Sequence, residues 1–306
     1  MFLGSEKQRA ATLSVFSNTF LIISKLIVGI LTHSISVISE AVHSLTDLFA
    51  ALIAYFSIKE SSNPPDKEHP FGHGKYEDLS GFIEGALIIL AAGIIIHESV
   101  EKIIKNDFNH IDTTAGIVVM ALSVIINILV STHLFKIAHK TDSLALLADA
   151  EHLRTDVITS AGVLIGLILI KITSLQMLDP IVAILIALII AKAGFKLCLA
   201  AGKNLLDTSL PEKDQKTILK VLEAYIPEEI VKVRELKTRK AGAEKLIELV
   251  IVIPKNKTIE SGHNLCDRIE EDLKKNIENS SVIIHIEPCD CSCKKCRTKN
   301  YCSQIC

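Results

Sequence analysis

Residues 143–170 read SLALLADAEHLRTDVITSAGVLIGLILI, and residues 34–56 read SISVISEAVHSLTDLFAALIAYF. Each is a long apolar run interrupted by the same short pattern, His152-x-x-x-Asp156 in the first and His43-x-x-x-Asp47 in the second. On a helix, residues four apart share a face, so each pattern aims one imidazole and one carboxylate in one direction. Ionisable residues inside an apolar span are costly unless they are paired or hold an ion. Two such helices facing each other supply two nitrogens and two oxygens, enough for a closed tetrahedral shell around zinc. The bland alternative is two polar helix faces that pair only with each other, and the duplication of the pattern weighs against it.

Working outward, the 306-residue chain is 49% hydrophobic with a mean hydropathy of +0.40, high for a water-soluble protein. A net charge of −2 speaks against a nucleic-acid partner. Tryptophan is absent, so no aromatic belt marks the membrane boundaries. Six apolar segments stand out near residues 11–31, 36–58, 80–100, 113–135, 144–170 and 177–199, each close to the roughly 20 residues needed to cross a bilayer. Asn18, Ser24 and Lys25 in the first, and Ser123, Asn127 and Ser131 in the fourth, suit a bundle interior better than lipid. The charged start MFLGSEKQRA does not read as a cleavable leader. Lys7, Arg9, Lys59, Lys67, Lys75, Lys136 and Lys140 fall on one side of the spans, which by the positive-inside rule puts both termini in the cytoplasm.

From about Asp207 the composition becomes that of a soluble domain. A helix begins after Pro211, VKVRELKTR and KLIELVIVI read as strands joined by KAGAE, IESGHNLCDRIEEDLKKNI is a second helix, and SSVIIHIEP closes as a third strand. The reading is an α-helical membrane protein with six transmembrane helices over 1–206, a small cytoplasmic α+β domain of order αββαβ over 207–288, and a Cys-rich tail over 289–306. The small domain is marginal alone, and an apolar sheet face containing Leu249, Ile251 and Ile253 is expected to be open for dimerisation.

The chain resembles the cation diffusion facilitator family across almost its full length. The resemblance is carried by the paired HxxxD patterns, by the loop Asp66-Lys67-Glu68-His69-Pro70-Phe71-Gly72-His73-Gly74-Lys75, and by six spans followed by an αββαβ domain. It implies a homodimer that moves Zn²⁺ or a related ion out of the cytoplasm by alternating access against inward proton flow. His43, Asp47, His152 and Asp156 would hold the transported ion. The resemblance also gives Asp66, His69 and His73 as a loop metal site, and a pairing of Lys75 with Asp207. The loop can equally be a structural joint built on Gly72 and Gly74.

The cytoplasmic domain departs from the family pattern. His263, His285 and Glu287 are kept, but Arg234 and Val250 stand where two further ligand histidines fall, so a full binuclear site is not expected; a single ion shared by the three remaining residues, with or without the tail, is one alternative and an empty site the other. Six of the eight cysteines lie in the last 18 residues, CDCSCKKCRTKNYCSQIC. In a reducing compartment such packing points to metal, and Cys289, Cys291, Cys293 and Cys296 can wrap one ion. A redox-sensitive tail is the alternative. Cys198 and Cys266 read as packing residues. Three more acids, Glu40, Asp149 and Glu151, lie near the transport patterns; Asp149 reads as a carboxylate on the approach to the site, or as a polar helix-start residue. Arg154 is expected to point away, toward an acid or the headgroups.

Neutral imidazoles with ionised carboxylates cancel a divalent charge and bind metal in competition with protons. Nitrogen with oxygen donors suits zinc, with Cd²⁺, Co²⁺, Fe²⁺ or Mn²⁺ also within the set. The reading is therefore a multi-pass secondary transporter of the plasma membrane, embedded in lipid, exporting Zn²⁺ in exchange for protons. A non-transporting metal sensor or assembly scaffold on the same fold is the alternative. An enzyme is not expected: no HExxH motif occurs, and four protein ligands leave no position for a catalytic water.

Overall fold

Few prolines and long apolar runs let helices continue well past bilayer length. The computed structural model describes the backbone of residues 2–31, 35–105, 116–173, 177–226 and 228–289; the side chains of 2–5, 29, 31, 35–43, 46, 116–120, 160–173 and 178–179 lie outside the description. Two compact units result, Met1–Leu205 and Leu206–Cys306. The first holds α1 (Phe2–Leu31), α2 (Ile35–Ser61), α3 (Lys75–Lys105), α4 (Gly116–Thr141), α5 (Leu144–Thr173) and α6 (Leu178–Leu205). At about 1.5 Å per residue these helices exceed the roughly 30 Å of a hydrocarbon core. Each outlasts the apolar segment read from the sequence because its polar ends keep helical spacing. Among the described residues, four stretches are long and apolar enough to cross a membrane: Glu6–Val28, Lys75–Lys105, Ala121–Thr141 and Pro180–Leu205.

The first unit is built inside out relative to a soluble protein. Asn18, Lys25, Ser123, Asn127 and Ser131 are buried, while Phe16, Phe20, Leu129, Leu185 and Ile189 face outward. Lys25 Nζ donates to Ser44 Oγ at 2.6 Å, joining α1 to α2 through two buried groups. At the end of the bundle where α3 begins, Glu77 accepts from Lys7 of α1 at 2.8 Å, from Ser61 of α2 at 3.0 Å, and from Ser143. Ser143 also turns its hydroxyl to the Leu146 N–H, starting α5. Small residues bring α3 and α6 together: a Cβ on Gly85 would stand 2.9 Å from the Cys198 nitrogen, and one on Gly194 2.9 Å from the Gly85 oxygen.

The second unit holds α7 (Glu212–Glu223), β1 (Lys232–Ala241), β2 (Glu244–Ile253), α8 (Ile259–Asn276) and β3 (Ser280–Pro288). The strands lie in the order β1-β2-β3, β1 antiparallel and β3 parallel to the central β2. Gly242, at φ 59°, makes the two-residue hairpin turn. Thr258 caps α8, accepting from the Ser261 N–H at 3.2 Å.

Here one expectation is corrected. Leu249, Ile251 and Ile253 are not an open face; they are buried in one core with Ile218 and Leu222 of α7 and Leu265, Ile269 and Leu273 of α8. Both helices carry one apolar stripe, and the alternating apolar side of β2 is what buries it. The other side of the sheet carries the mixed set Lys237, Glu248, Ile283 and His285, with Lys237 opposite Glu248 and Glu248 opposite Ile283.

Beside this core, Tyr225 Oη donates to Asp272 Oδ2 at 2.6 Å. Burial and the Asp272 carboxylate push the Tyr225 hydroxyl up to about 12, and the same hydrogen bond, with Lys275, holds Asp272 below its usual range. Tyr225→Phe is expected to cost about 1 kcal/mol in urea unfolding of this unit near pH 7. The Asp272 share should fade as pH falls through its lowered folded value, because its stabilisation exists only above the unfolded carboxylate pKa. Identical unfolding of the two proteins at pH 7 counts against the bond.

Candidate metal centre

The i,i+4 spacing on α5 and the facing of α2 bring three of the four expected residues together. One donor atom from each of Asp47, His152 and Asp156 lies within 4.8 Å of the others. His152 Nε2 stands 3.3 Å from Asp47 Oδ1, across the α2–α5 interface. Asp47 is buried and the other two are half-buried. His43 lies one turn before Asp47 on α2, which places it on the same helix face; its side chain lies outside the described residues. The three described donors, one nitrogen and two carboxylates, form a compact, largely buried cluster whose two carboxylates match the charge of a divalent cation. Arg154 stays out of it: the guanidinium sits 3.8 Å from Glu151 and over the Phe135 ring at 5.7 Å.

The segment between α2 and α3 forms a second convergence. Asp66, His69 and His73 also place one donor atom each within 4.8 Å of one another. His69 Nδ1 is 3.5 Å from Asp66 Oδ1, His73 Nε2 is 3.5 Å from Asp66 Oδ2, and the two imidazole centroids are 4.3 Å apart. The chain folds this way because the Asp66 carboxylate accepts the N–H groups of His69 at 2.6 Å and Glu68 at 2.9 Å. Gly72, at φ 79°, supplies the left-handed step that returns the chain toward His73. The His69 N–H and then the Glu68 N–H hold the Asp66 carboxyl below the usual carboxylate range, with the two imidazoles adding to the effect.

Comparison with known proteins agrees with both units. Residues 11–206 match the cation efflux transmembrane domain, and residues 210–289 match the cytoplasmic domain of cation efflux proteins. The chain belongs to the cation efflux family. It is 33% identical over 259 residues to an uncharacterised transporter of Synechocystis sp., covering 84% of this chain and 83% of that one. An uncharacterised transporter of Methanocaldococcus jannaschii is 32% identical over 284 residues, covering 92% and 99%. The cation-efflux pump FieF of Salmonella agona is 28% identical over 286 residues, covering 94% of each chain. A solved chain of CzrB is 31% identical over 26% of this chain and 98% of its own, with a TM-score of 0.25. This cation efflux protein, the diffusion facilitator of the sequence reading, is thus a multi-pass membrane transporter and not an enzyme.

In the cation efflux protein's second unit the three expected ligands are not gathered. Among the described residues, His263, His285 and Glu287 do not form a metal-ligand group. Glu287 is engaged by Arg234, the exposed His263 lies 3.6 Å from Asp267 on its own helix, and His285 is exposed. A guanidinium at position 234 supplies the positive charge that an ion would supply to Glu287. Cys289 also differs from expectation: it is buried and its N–H donates to the Ile253 oxygen at 2.9 Å, so it closes the sheet rather than opening the tail. Cys291, Cys293 and Cys296 lie outside the described residues.

One residue near the centre is missing from the sequence reading. Glu84 of α3, fully buried, lies within electrostatic reach of His152 and Asp149. It stands as a lone acid in the third apolar run, FIEGALIIL, and that intramembrane charge was the available signal.

Proposed function

We propose that this protein exports a divalent metal ion, Zn²⁺ first among them, from the cytoplasm in exchange for protons by alternating access. The observation that carries the reading is the convergence of Asp47, His152 and Asp156 across α2 and α5. His43, one turn from Asp47, is the fourth ligand, completing two neutral imidazoles and two carboxylates. Metal and proton compete for the same imidazole nitrogens, so a cation leaving on the acidic side is replaced by protons that keep the site neutral. All six long helices cross the membrane, both termini are cytoplasmic, and the working unit is a homodimer in the plasma membrane. Its second units meet through the mixed face of Lys237, Glu248, Ile283 and His285, since the helices cover the other side.

The decisive experiment uses purified protein in sealed vesicles with an internal pH dye. Zn²⁺ placed outside should enter only as protons leave, with Cd²⁺ and Co²⁺ following and Mg²⁺ inert. Metal binding without metal-driven proton flux would support the sensor or scaffold reading instead.

The loop site gives a further expectation. Asp66, His69 and His73 hold a regulatory or relay Zn²⁺. Zinc binding there competes with protons and should weaken as pH falls, while Asp66 stays ionised because its carboxyl is held low. Zinc titrations of wild type and Asp66→Asn between pH 8 and 5.5 check this. A common loss of one ion in the variant at pH 8 is the expected result, and equal stoichiometry refutes it.

A further inference from the structure

Three helices bring buried polar groups near His152 that the His/Asp centre does not use. Glu84 on α3 and Asp149 on α5 are each 0% exposed. Ser80 Oγ donates to Glu84 Oε1 at 3.0 Å, but Glu84 Oε2 and both Asp149 oxygens have no hydrogen-bond partner. Ser14 of α1, also 0% exposed, turns an unpartnered hydroxyl toward Asp149. The two carboxylates lie within electrostatic reach of each other and of His152. Among the described residues, neither forms an ion pair with a lysine or arginine.

Two further carboxylates buried this deeply need positive charge, from protons or from a bound cation that displaces them. A divalent ion at the transport centre is neutralised by Asp47 and Asp156, leaving nothing for Glu84 and Asp149. Two buried carboxylates that keep open lone pairs are expensive when ionised, and an arriving cation that displaces their protons removes that cost. Their place along the helices fits an ion in transit. Asp149 precedes His152 by three residues on α5, and Glu84 lies nine residues into α3, so both sit toward the ends where those helices begin.

We propose that Glu84, Asp149 and the Ser14 hydroxyl form a second, oxygen-only cation site, a helical turn short of the His/Asp centre, where a divalent ion pauses on its way in; this rests on the transport reading above. Oxygen donors hold zinc less tightly than the imidazole-bearing centre and accept harder ions such as Mn²⁺. The ion therefore moves downhill from the outer site to the inner one. Repulsion between two divalent ions about one helical turn, roughly 5 Å, apart keeps both sites from filling together.

The test uses Mn²⁺ as probe, with free ion read by electron paramagnetic resonance, on the full-length protein carrying His152→Ala, Asp156→Ala and Asp66→Asn to silence the other centres. Adding Glu84→Gln and Asp149→Asn, which keep side-chain shape, should remove one bound Mn²⁺ per chain. Unchanged stoichiometry overturns the proposal. So does unchanged Mn²⁺ with two fewer protons taken up between pH 8 and 5, which assigns the pair to protons. If the combined variant does not fold, Glu84→Gln alone should raise the zinc concentration for half-maximal transport about tenfold, and no change overturns it. Loss of a bound Mn²⁺ in a protein whose wild type does not transport refutes the transport reading and leaves the site standing.

Discussion

Asp156→Ala is expected to lower zinc transport at least about a hundredfold while leaving a folded protein. Removing even a residue that only supports a metal ligand costs about 10- to 100-fold, and Asp156 supplies a donor atom itself, within 4.8 Å of those of Asp47 and His152. Its loss leaves a centre with one carboxylate, unable to neutralise a divalent ion in a volume where water cannot help. His152→Ala and Asp47→Ala should match it, since His152 Nε2 and Asp47 Oδ1 stand 3.3 Å apart, close enough to share one ion. Vesicle uptake of Zn²⁺, with elution volume on size exclusion as the fold control, reads the effect. Flux within about threefold of wild type in the Asp156 variant is incompatible with the assignment, because a hundredfold loss is about 2.7 kcal/mol of binding. Conversion of His43 to aspartate is a milder change: it adds negative charge and should move preference from Zn²⁺ toward Cd²⁺ or Mn²⁺.

Glu77→Ala is the second change expected to have a large effect, this time on stability. Glu77 and Lys7 are both buried, and Glu77 is also bonded by Ser61 and Ser143, so one carboxylate joins α1, α2, α3 and the start of α5. Deleting it strands a buried ammonium and the Ser143 hydroxyl, while Ser61 keeps the Ile58 carbonyl as acceptor, a loss of about 3–5 kcal/mol. Heating the purified protein and counting what survives on size exclusion measures it. The informative companion is Lys7→Met with Glu77→Gln, which removes both charges and should recover much of the loss, since replacing a buried pair by neutral groups is often nearly neutral. A single-variant loss below about 0.5 kcal/mol would place the contact with exposed ion pairs instead.

The convergence of Asp47 with His152 and Asp156 was legible because its signal is local: imidazole and carboxylate four residues apart in apolar surroundings, written twice. The loop cluster was legible for the same reason, its spacing of three and four around Gly72 matching one turn. Glu84 was not, because its neighbours come from other helices and nothing in its own segment repeats. The chain order of helices and strands in the second unit followed from their periodicities, yet the covered side of the sheet did not. Alternation fixes that Leu249, Ile251 and Ile253 share a face, and only the stripes of α7 and α8, each needing a partner, say that this face is closed. At Glu287 the sequence showed the arginine at 234 as a missing ligand, whereas the fold shows it as the group that occupies the carboxylate.

The contact of Gly85 with Gly194 reaches beyond packing. With no Cβ between them, α3 and α6 touch backbone to backbone, and a side chain on either glycine would collide at 2.9 Å. Two rods pressed this closely resist sliding and axial rotation against each other, so they travel as one strut. Glu84 is the residue beside that weld. Whenever the strut tilts against α2 and α5, Glu84 is carried toward or away from His152 with no freedom to lag. In the alternating-access reading proposed above, a methyl group at position 85 would therefore act as a wedge in the lever, altering how fast the two faces of the membrane take turns without touching a single ligand.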